Sequence, residues 1–194
     1  KNVLTVAAVD EVLNYINPNS VVMSSFSNFG PTDDGRIKPD ISAKGTDVSS
    51  CGSLSNTQYT TLQGTSMSTP AITGLVLLLQ KHFNNLNPSQ FMRSSTIRGL
   101  ICHSAKEAGY EPGPDYEYGW GLADAEAAAN IITNKNTSTI LQENTLINNQ
   151  VFTKLITLDT AQKLTATICW TDPTGASNGT AEDNRSPRLK NNLD

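Results

Sequence analysis

The 194-residue sequence has little of what several protein classes depend on. Its two histidines and three cysteines match no zinc-site spacing, and an odd number of cysteines cannot all pair within one chain. Charged residues make up 16% and the net charge is −4, which leaves no basic stripe for nucleic acid. The longest apolar run, Gly74–Leu79, is far shorter than the ~20 residues that span a bilayer. We therefore predict no nucleic-acid partner and no membrane segment in this chain.

Apolar runs and turn signals predict an α/β fold for the first two thirds of the chain. Extended or strand segments are predicted at 3–9, 21–26 and 39–43. Helices are predicted at 71–83, from Asn87-Pro88-Ser89 to Cys102-His103, and at 123–132. The first of these helices is apolar almost all round, which is typical of a helix buried in a core. Residues 46–63 are polar and are expected to be irregular.

The sequence pattern changes near residue 136. Beyond it, apolar and polar residues alternate at 151–156 and 164–170, which predicts β-strands. We therefore predict a domain boundary: residues 1–135 form an α/β unit, and residues 137–194 begin an all-β unit that is too short to close as a sandwich or barrel.

The segment whose residue types most clearly indicate catalysis is Gly64-Thr65-Ser66-Met67-Ser68-Thr69-Pro70, at the start of the apolar helix. A serine at a helix N-terminus lies beside backbone N–H groups that lack intrahelical partners, and the helix dipole favours negative charge there. Attack by Ser66 Oγ on a carbonyl would develop such a charge, and the Ser66 N–H could donate to it. On position alone, a helix cap without chemistry is the alternative interpretation.

The same seven residues resemble the nucleophile motif of subtilisin-like serine peptidases. Phe26–Ile41 and Tyr118–Ala125 are similar to two further family motifs and follow in the same order, and Lys1–Asp10 is similar to a late core strand. The resemblance implies a partial three-layer fold with a parallel sheet in residues 1–135. It also implies that Ser66 is the nucleophile and an oxyanion donor through its N–H. Gly64, Thr65 and Met67 would bind substrate.

The resemblance also covers the C-terminal region. Cys169–Pro173 and Asn191–Asp194 are similar to subtilases that append a β-barrel or jelly-roll domain, so residues 137–194 are expected to begin one. In the family, a catalytic Asp, a His and an oxyanion Asn precede the segment that Lys1 resembles. The implied partners are therefore the missing N-terminal part of the peptidase domain and a polypeptide substrate. An extracytoplasmic or secreted location is implied as well.

Neither histidine is expected to replace the missing base. His82 follows Ser66 on the same predicted helix and would lie about 24 Å away at ~1.5 Å per residue. His103 ends the next helix, and no acid is placed to pair with it beside Ser66. The leading hypothesis is a fragment of a subtilisin-like serine endopeptidase that is inactive alone. The alternative is a pseudopeptidase or a surface protein that uses its β-domain to bind proteins.

The resemblance implies no cofactor for catalysis and allows structural calcium. Asp33-Asp34 and Asp183-Asn184 are the candidate ligands, but their spacing fits no EF-hand loop, and solvated turns are the alternative. An interrupted parallel sheet would expose a strand edge and the flank of its buried helix. We therefore expect the isolated chain to be oligomeric, domain-swapped or poorly soluble.

Overall fold

A computed structural model describes residues 2–158, 161, 163–175, 184–187 and 189–191. The strands are β1 (Val6–Val9), β2 (Ile41–Lys44), β3 (Val48–Cys51) and β4 (Tyr59–Leu62). The helices are α1 (Thr65–Leu86), α2 (Ser94–Ser104) and α3 (Ala125–Thr133), with a short 3-10 helix at Pro18–Ser20. This mixed α/β arrangement with a parallel sheet confirms the predicted fold class.

The centre of the fold is the parallel pair β1–β2, in which Val6 lies opposite Ile41 and Val9 opposite Lys44. All four residues of β1 are buried, as expected for an apolar strand covered on both faces. Loop segments occupy part of each outer edge. On β1, the Ser24 N–H donates to Ala8 O at 3.1 Å, and on β2 the Ser42 N–H donates to Gly121 O at 2.9 Å.

The expected exposed strand edge is therefore not what the structure shows for β1 and β2. Residues 21–26, predicted as an extended run, contribute to this edge through a single bridge between Met23 and Val9 and not as a strand. Some of the backbone N–H and C=O groups on these edges, which could otherwise pair with a strand of another chain, are hydrogen-bonded within this chain.

Helix α1 is the largest element packed on the sheet. Ile72, Leu79 and Phe83 lie on its buried face and join a core that includes residues of β1, β2, α2 and α3. The opposite face is open: Leu77 and Leu78 are 66% and 71% exposed. The prediction that this helix is buried all round is wrong, because the described residues cover only one of its faces; the expectation of an exposed flank is confirmed.

Two local predictions in this part of the chain are also corrected. The antiparallel hairpin β3–β4 occupies the segment expected to be irregular. Helix α2 begins at Ser94 and not at Asn87–Ser89, because the chain first runs alongside α1. There, the Gln80 side chain accepts from the Met92 N–H and donates to Met92 O, both at 2.9 Å. The backbone groups of Met92 are therefore bonded to a side chain and not within a helix.

The C-terminal region differs from its prediction. Neither 151–156 nor 164–170 forms a strand, and side chains such as Val151 and Leu155 are 84% and 88% exposed. A strand needs a neighbouring strand to satisfy its backbone, and the described residues beyond Thr133 contain no strand that could serve. The boundary near residue 136 and the appended β-domain remain predictions.

Candidate active site

Ser66 is the second residue of α1, and its side chain is exposed. The helix is preceded by Gly64, whose φ of 149° is a conformation that favours glycine. The carbonyl of Gly64 accepts from the N–H groups of Met67 and Ser68, at 2.9 and 3.4 Å. Within the described chain, the N–H groups of Thr65 and Ser66 have no hydrogen-bond acceptor, so they are the donors available to an anion at this helix end.

The hydroxyl groups of the motif differ in availability. Ser68 is fully buried and its Oγ donates to Thr65 O at 3.0 Å, and Thr69 Oγ1 donates to the same carbonyl at 2.9 Å. Ser66 Oγ makes no hydrogen bond to any residue that the structure describes. Thr65, the fourth hydroxyl of the motif, also makes no hydrogen bond to a described residue, but Ser66 is the exposed one of the two and is therefore the hydroxyl open to a ligand. Thr65 and Met67, on either side of it, are half-buried.

Gly45, directly after β2, fixes the position of the motif. Its carbonyl accepts from the Gly64 N–H at 2.8 Å, and its own N–H donates to Val9 O at 2.9 Å. A Cβ on Gly45 would lie 2.9 Å from Gly64 O and 2.5 Å from the Ala8 Cβ, so only glycine allows this approach. Sequence reasoning missed Gly45, since Lys44-Gly45 signalled only the end of a strand.

A shallow groove of about 290 Å³ lies at the carboxyl ends of β1 and β2 and reaches Gln63, next to Gly64. It is lined by Asp10, Glu11, Lys44, Thr46, Asp47 and Gln63. Lys44 and Glu11 form an ion pair at 2.6 Å. Ligands of open α/β sheets bind at the carboxyl ends of the strands, and here that edge is continuous with the start of α1.

Comparison with known proteins shows the family of this chain. The sequence profile of the subtilase family, Peptidase_S8, matches residues 1–121. The chain belongs to the subtilase family.

Two relatives of this subtilase are much longer than the matched part of this chain. A C5a peptidase from Streptococcus pyogenes serotype M3 is 36% identical over 150 residues, which is 71% of this chain and 12% of the relative. A PII-type proteinase from Lactococcus lactis subsp. cremoris is 32% identical over 136 residues, which is 63% of this chain and 7% of the relative. The chain thus spans a small part of the length of these relatives.

Solved structures show the same fold. The Clostridium perfringens CspB protease matches with a TM-score of 0.57 and 24% identity, over 69% of this chain and 27% of that protein. The patellamide maturation protease PatA matches with a TM-score of 0.51 and 23% identity, over 70% of this chain and 44% of that protein. At these identities the likeness concerns the fold alone.

The segments that carried the family resemblance converge on the sheet of this subtilase. Ser27 Oγ accepts from the Ala8 N–H at 3.0 Å, which joins the second motif to β1. Asp40 is the next-to-last residue of the same motif, and its carbonyl accepts from the Trp120 N–H in the third motif at 2.9 Å. The motifs are therefore joined by hydrogen bonds around the strands that hold Gly45 and, through it, the Ser66 segment.

Both histidines of this subtilase chain are engaged away from Ser66. His82 Nε2 lies 2.8 Å from Thr133 Oγ1, in a bond that links α1 to α3. His103 Nδ1, in the last turn of α2, lies 2.8 Å from Oγ1 of Thr167 in the C-terminal region. Neither ring is hydrogen-bonded to the Ser66 hydroxyl, so neither is placed to take its proton.

One of the carboxylates considered for calcium, Asp34, has other partners. Arg36 Nε donates to both oxygens of Asp34, at 2.9 and 2.8 Å, and Thr32 Oγ1 donates at 2.7 Å. The hydrogen bond from Arg36 is the main reason that the pKa of Asp34 falls to about 2. In the described part of the chain, no three His, Cys, Asp or Glu side chains are grouped as metal ligands. Asp183 lies outside the described residues, and its neighbour Asn184 accepts from the Ser186 N–H.

Among the described helices, none combines the length and the hydropathy that crossing a membrane requires.

Proposed function

We propose that this chain supplies the nucleophile of a subtilisin-like serine endopeptidase. The observation that carries the proposal is Ser66: its hydroxyl is exposed at the N-terminus of α1, within the family motif, and adjacent N–H groups have no acceptor in the described chain. Ser66 Oγ attacks the carbonyl carbon of a polypeptide substrate, the amine product leaves, and water then hydrolyses the acyl-enzyme.

The tetrahedral intermediate of this reaction carries its negative charge on the former carbonyl oxygen. The Ser66 N–H donates to that oxygen, and the N-terminal end of the α1 dipole stabilises the charge. Gly64, Thr65 and Met67 border the nucleophile and are the proposed substrate-binding residues. The close contact between Gly64 and Gly45 holds this segment at the end of the sheet.

A serine hydroxyl needs a base, which we propose comes from outside this chain. His82 and His103 are bonded to Thr133 and Thr167, and this subtilase covers 12% of the length of its C5a peptidase relative. A further part of the peptidase domain would supply the His, the Asp and an Asn as second oxyanion donor. The chain alone is then inactive. An extracytoplasmic or secreted location, which the family resemblance implies, is part of this proposal.

A serine-directed fluorophosphonate tests the proposal in a longer protein that contains this chain. We expect stoichiometric labelling at Ser66, its complete loss in Ser66→Ala, and a fall in peptide hydrolysis by several powers of ten. Ser53→Ala, which removes an exposed serine between β3 and β4, is the matched control and should label normally.

Two results of this experiment would each contradict a different part of the proposal. Labelling of the isolated 194-residue chain at Ser66 would contradict the proposal that the base lies elsewhere. Absence of labelling in the folded longer protein would contradict peptidase activity and favour the alternative of a pseudopeptidase that binds proteins.

A further inference from the structure

The segment 167–170 lies against helix α2. Thr167 Oγ1 is 2.8 Å from His103 Nδ1, and Trp170 O accepts from Arg98 Nη2 at 2.7 Å. The segment therefore runs antiparallel to the helix, since its start meets the helix end and its end meets an earlier turn. Cys169 lies between these two contacts in sequence.

Cys169 packs against Gly99 of α2, which has no side chain to block the contact. A Cβ built on Gly99 would lie 2.9 Å from the Cys169 Cβ and 4.0 Å from its Sγ. Among residues 163–170, Cys169 and Trp170 are half-buried and the rest are exposed. The segment is thus held to α2 at this point, and the small size of Gly99 permits the contact.

Cys102 lies on the same stripe of the helix. It follows Gly99 by three residues, and Cβ positions with that spacing are about 5–6 Å apart on one helix face. The distance between the Cβ atoms of Cys102 and Cys169 is therefore within a few ångström of the value that a disulfide requires, which is about 3.5–4.5 Å. Burial raises the pKa of the Cys102 thiol to about 12, and the proximity of Cys169 adds to that rise. The third cysteine, Cys51, is exposed on β3.

We propose that Cys102 and Cys169 are a redox pair that closes to a disulfide, joining the C-terminal segment covalently to α2. The reaction requires a disulfide oxidant such as oxidised glutathione. The Cys169 thiolate attacks one sulfur of the oxidant and releases one glutathione. The Cys102 sulfur, after losing its proton, then attacks Cys169 and releases the second. Two protein thiols are oxidised, and one oxidant disulfide is reduced to two thiols.

Metal binding is the other chemistry that two close thiols suggest. A tetrahedral site takes four ligands, and the described residues contain no group of three candidate side chains around this pair. The geometry therefore points to oxidation. The inference does not depend on Ser66 or on peptidase activity, because it rests on the contacts between α2 and the segment 167–170.

Oxidised glutathione with native protein, followed by thiol counting and peptide mapping, tests the pair. We expect one crosslinked peptide pair joining Cys102 to Cys169 in monomeric chains, with Cys51 outside the crosslink, as a free thiol or as its glutathione mixed disulfide. Cys102→Ser and Cys169→Ser should each prevent this crosslink. Cys51→Ser, the control, should form it at the normal rate and leave no thiol. Three free thiols, or glutathione adducts without the crosslink, would overturn the proposal.

A second pair of variants tests the packing without touching a cysteine. Gly99→Ala places a methyl group against Cys169 and should slow crosslinking at least several-fold. Gly74→Ala, on α1, has no atom within 4 Å of the new methyl group and should leave the rate unchanged. For the wild-type chain, oxidation should raise the Tm by about 5–15 °C. Equal crosslinking rates in the two glycine variants, or an unchanged Tm on crosslinking, would contradict the proposed contact.

Discussion

The regions before and after residue 136 both contain apolar residues in patterns that predict secondary structure, but they form different amounts of it. Before it, the strands and helices share a core, and every buried apolar residue of the described chain lies at or before Ile132. After it, the described residues form neither helix nor strand, and apolar side chains such as Leu155 and Ile168 are exposed. An apolar pattern marks the side chains that can be buried, whereas burial itself requires neighbours in space.

The two regions are nevertheless in contact through α2. At its N-terminal end, Glu143 Oε1 accepts from the Arg93 N–H at 2.7 Å and also from Thr96 Oγ1. Along its length, α2 contacts the segment that contains Cys169. The C-terminal region thus adds local contacts to a core that the first region forms from its own residues.

The largest expected effect comes from matched leucine truncations in the two regions. Leu79 is 2% exposed on α1, and Leu79→Ala should lower the free energy of unfolding by about 2–5 kcal/mol, because it removes buried methyl groups and leaves a cavity. Leu155 is 88% exposed, and Leu155→Ala should change it by less than about 0.5 kcal/mol. Urea unfolding measures both. A loss at Leu155 equal to that at Leu79 would show that the second region has a core of its own.

The sequence predicted the part of the site that depends on local chemistry. The placement of Gly64–Pro70 at the start of a helix follows from residue types within a few positions of each other, although α1 begins at Thr65 and not at residue 71, and the exposure of Ser66 was not predicted. The strand β1 was predicted within a few residues because its apolar run is continuous. The alanine-rich helix α3 was found to within two residues, and Asp124 caps it by accepting from the Ala127 N–H.

What the sequence did not predict depends on contacts between distant residues. The role of Gly45 comes from its closeness to Gly64, nineteen positions later. The late start of α2 follows from the bonds between Gln80 and Met92. The hairpin was missed because both strands are largely exposed, although Tyr59–Leu62, with two threonines, has the composition of a strand.

The intermediate effect concerns the contact at the start of α2. Glu143→Ala removes the acceptor for the Arg93 N–H and the ion pair with the Arg93 side chain at 3.2 Å. We expect the free energy of unfolding to fall by about 1–2 kcal/mol, because a donor at the helix start loses its partner. Glu143→Gln keeps an acceptor oxygen and should lose less than half of that. Gln142→Ala, at the adjacent exposed position, is the control.

This measurement sharpens the comparison between the two regions. A loss in Glu143→Ala means that the C-terminal region stabilises the first region through α2. If Glu143→Ala unfolds at the same urea concentration as the wild-type chain, the contact contributes nothing and the first region is independent of it.

The smallest effect concerns the loop at Asp34, where the two regions share the lining of a cavity of about 460 Å³ that includes Arg185. The pKa of Asp34 is about 2 in the folded chain, below its ordinary value of 3.8, chiefly because of the hydrogen bond from Arg36. A lowered pKa contributes stability at pH values above 3.8, and this contribution is lost as the pH falls through about 2. The difference in Tm between the wild-type chain and Arg36→Ala should therefore shrink between pH 4 and pH 2, which thermal unfolding measures.

An NMR titration of the Asp34 carboxyl separates the contributions of the two arginines. Arg36→Ala should raise its pKa towards 3.8, whereas Arg185→Ala should leave it near 2, because Arg36 makes the direct hydrogen bonds. A rise in Arg185→Ala as large as that in Arg36→Ala would mean that the C-terminal region controls this loop electrostatically. In that case the contrast between a self-contained first region and a peripheral second region would hold for apolar burial but not for charge.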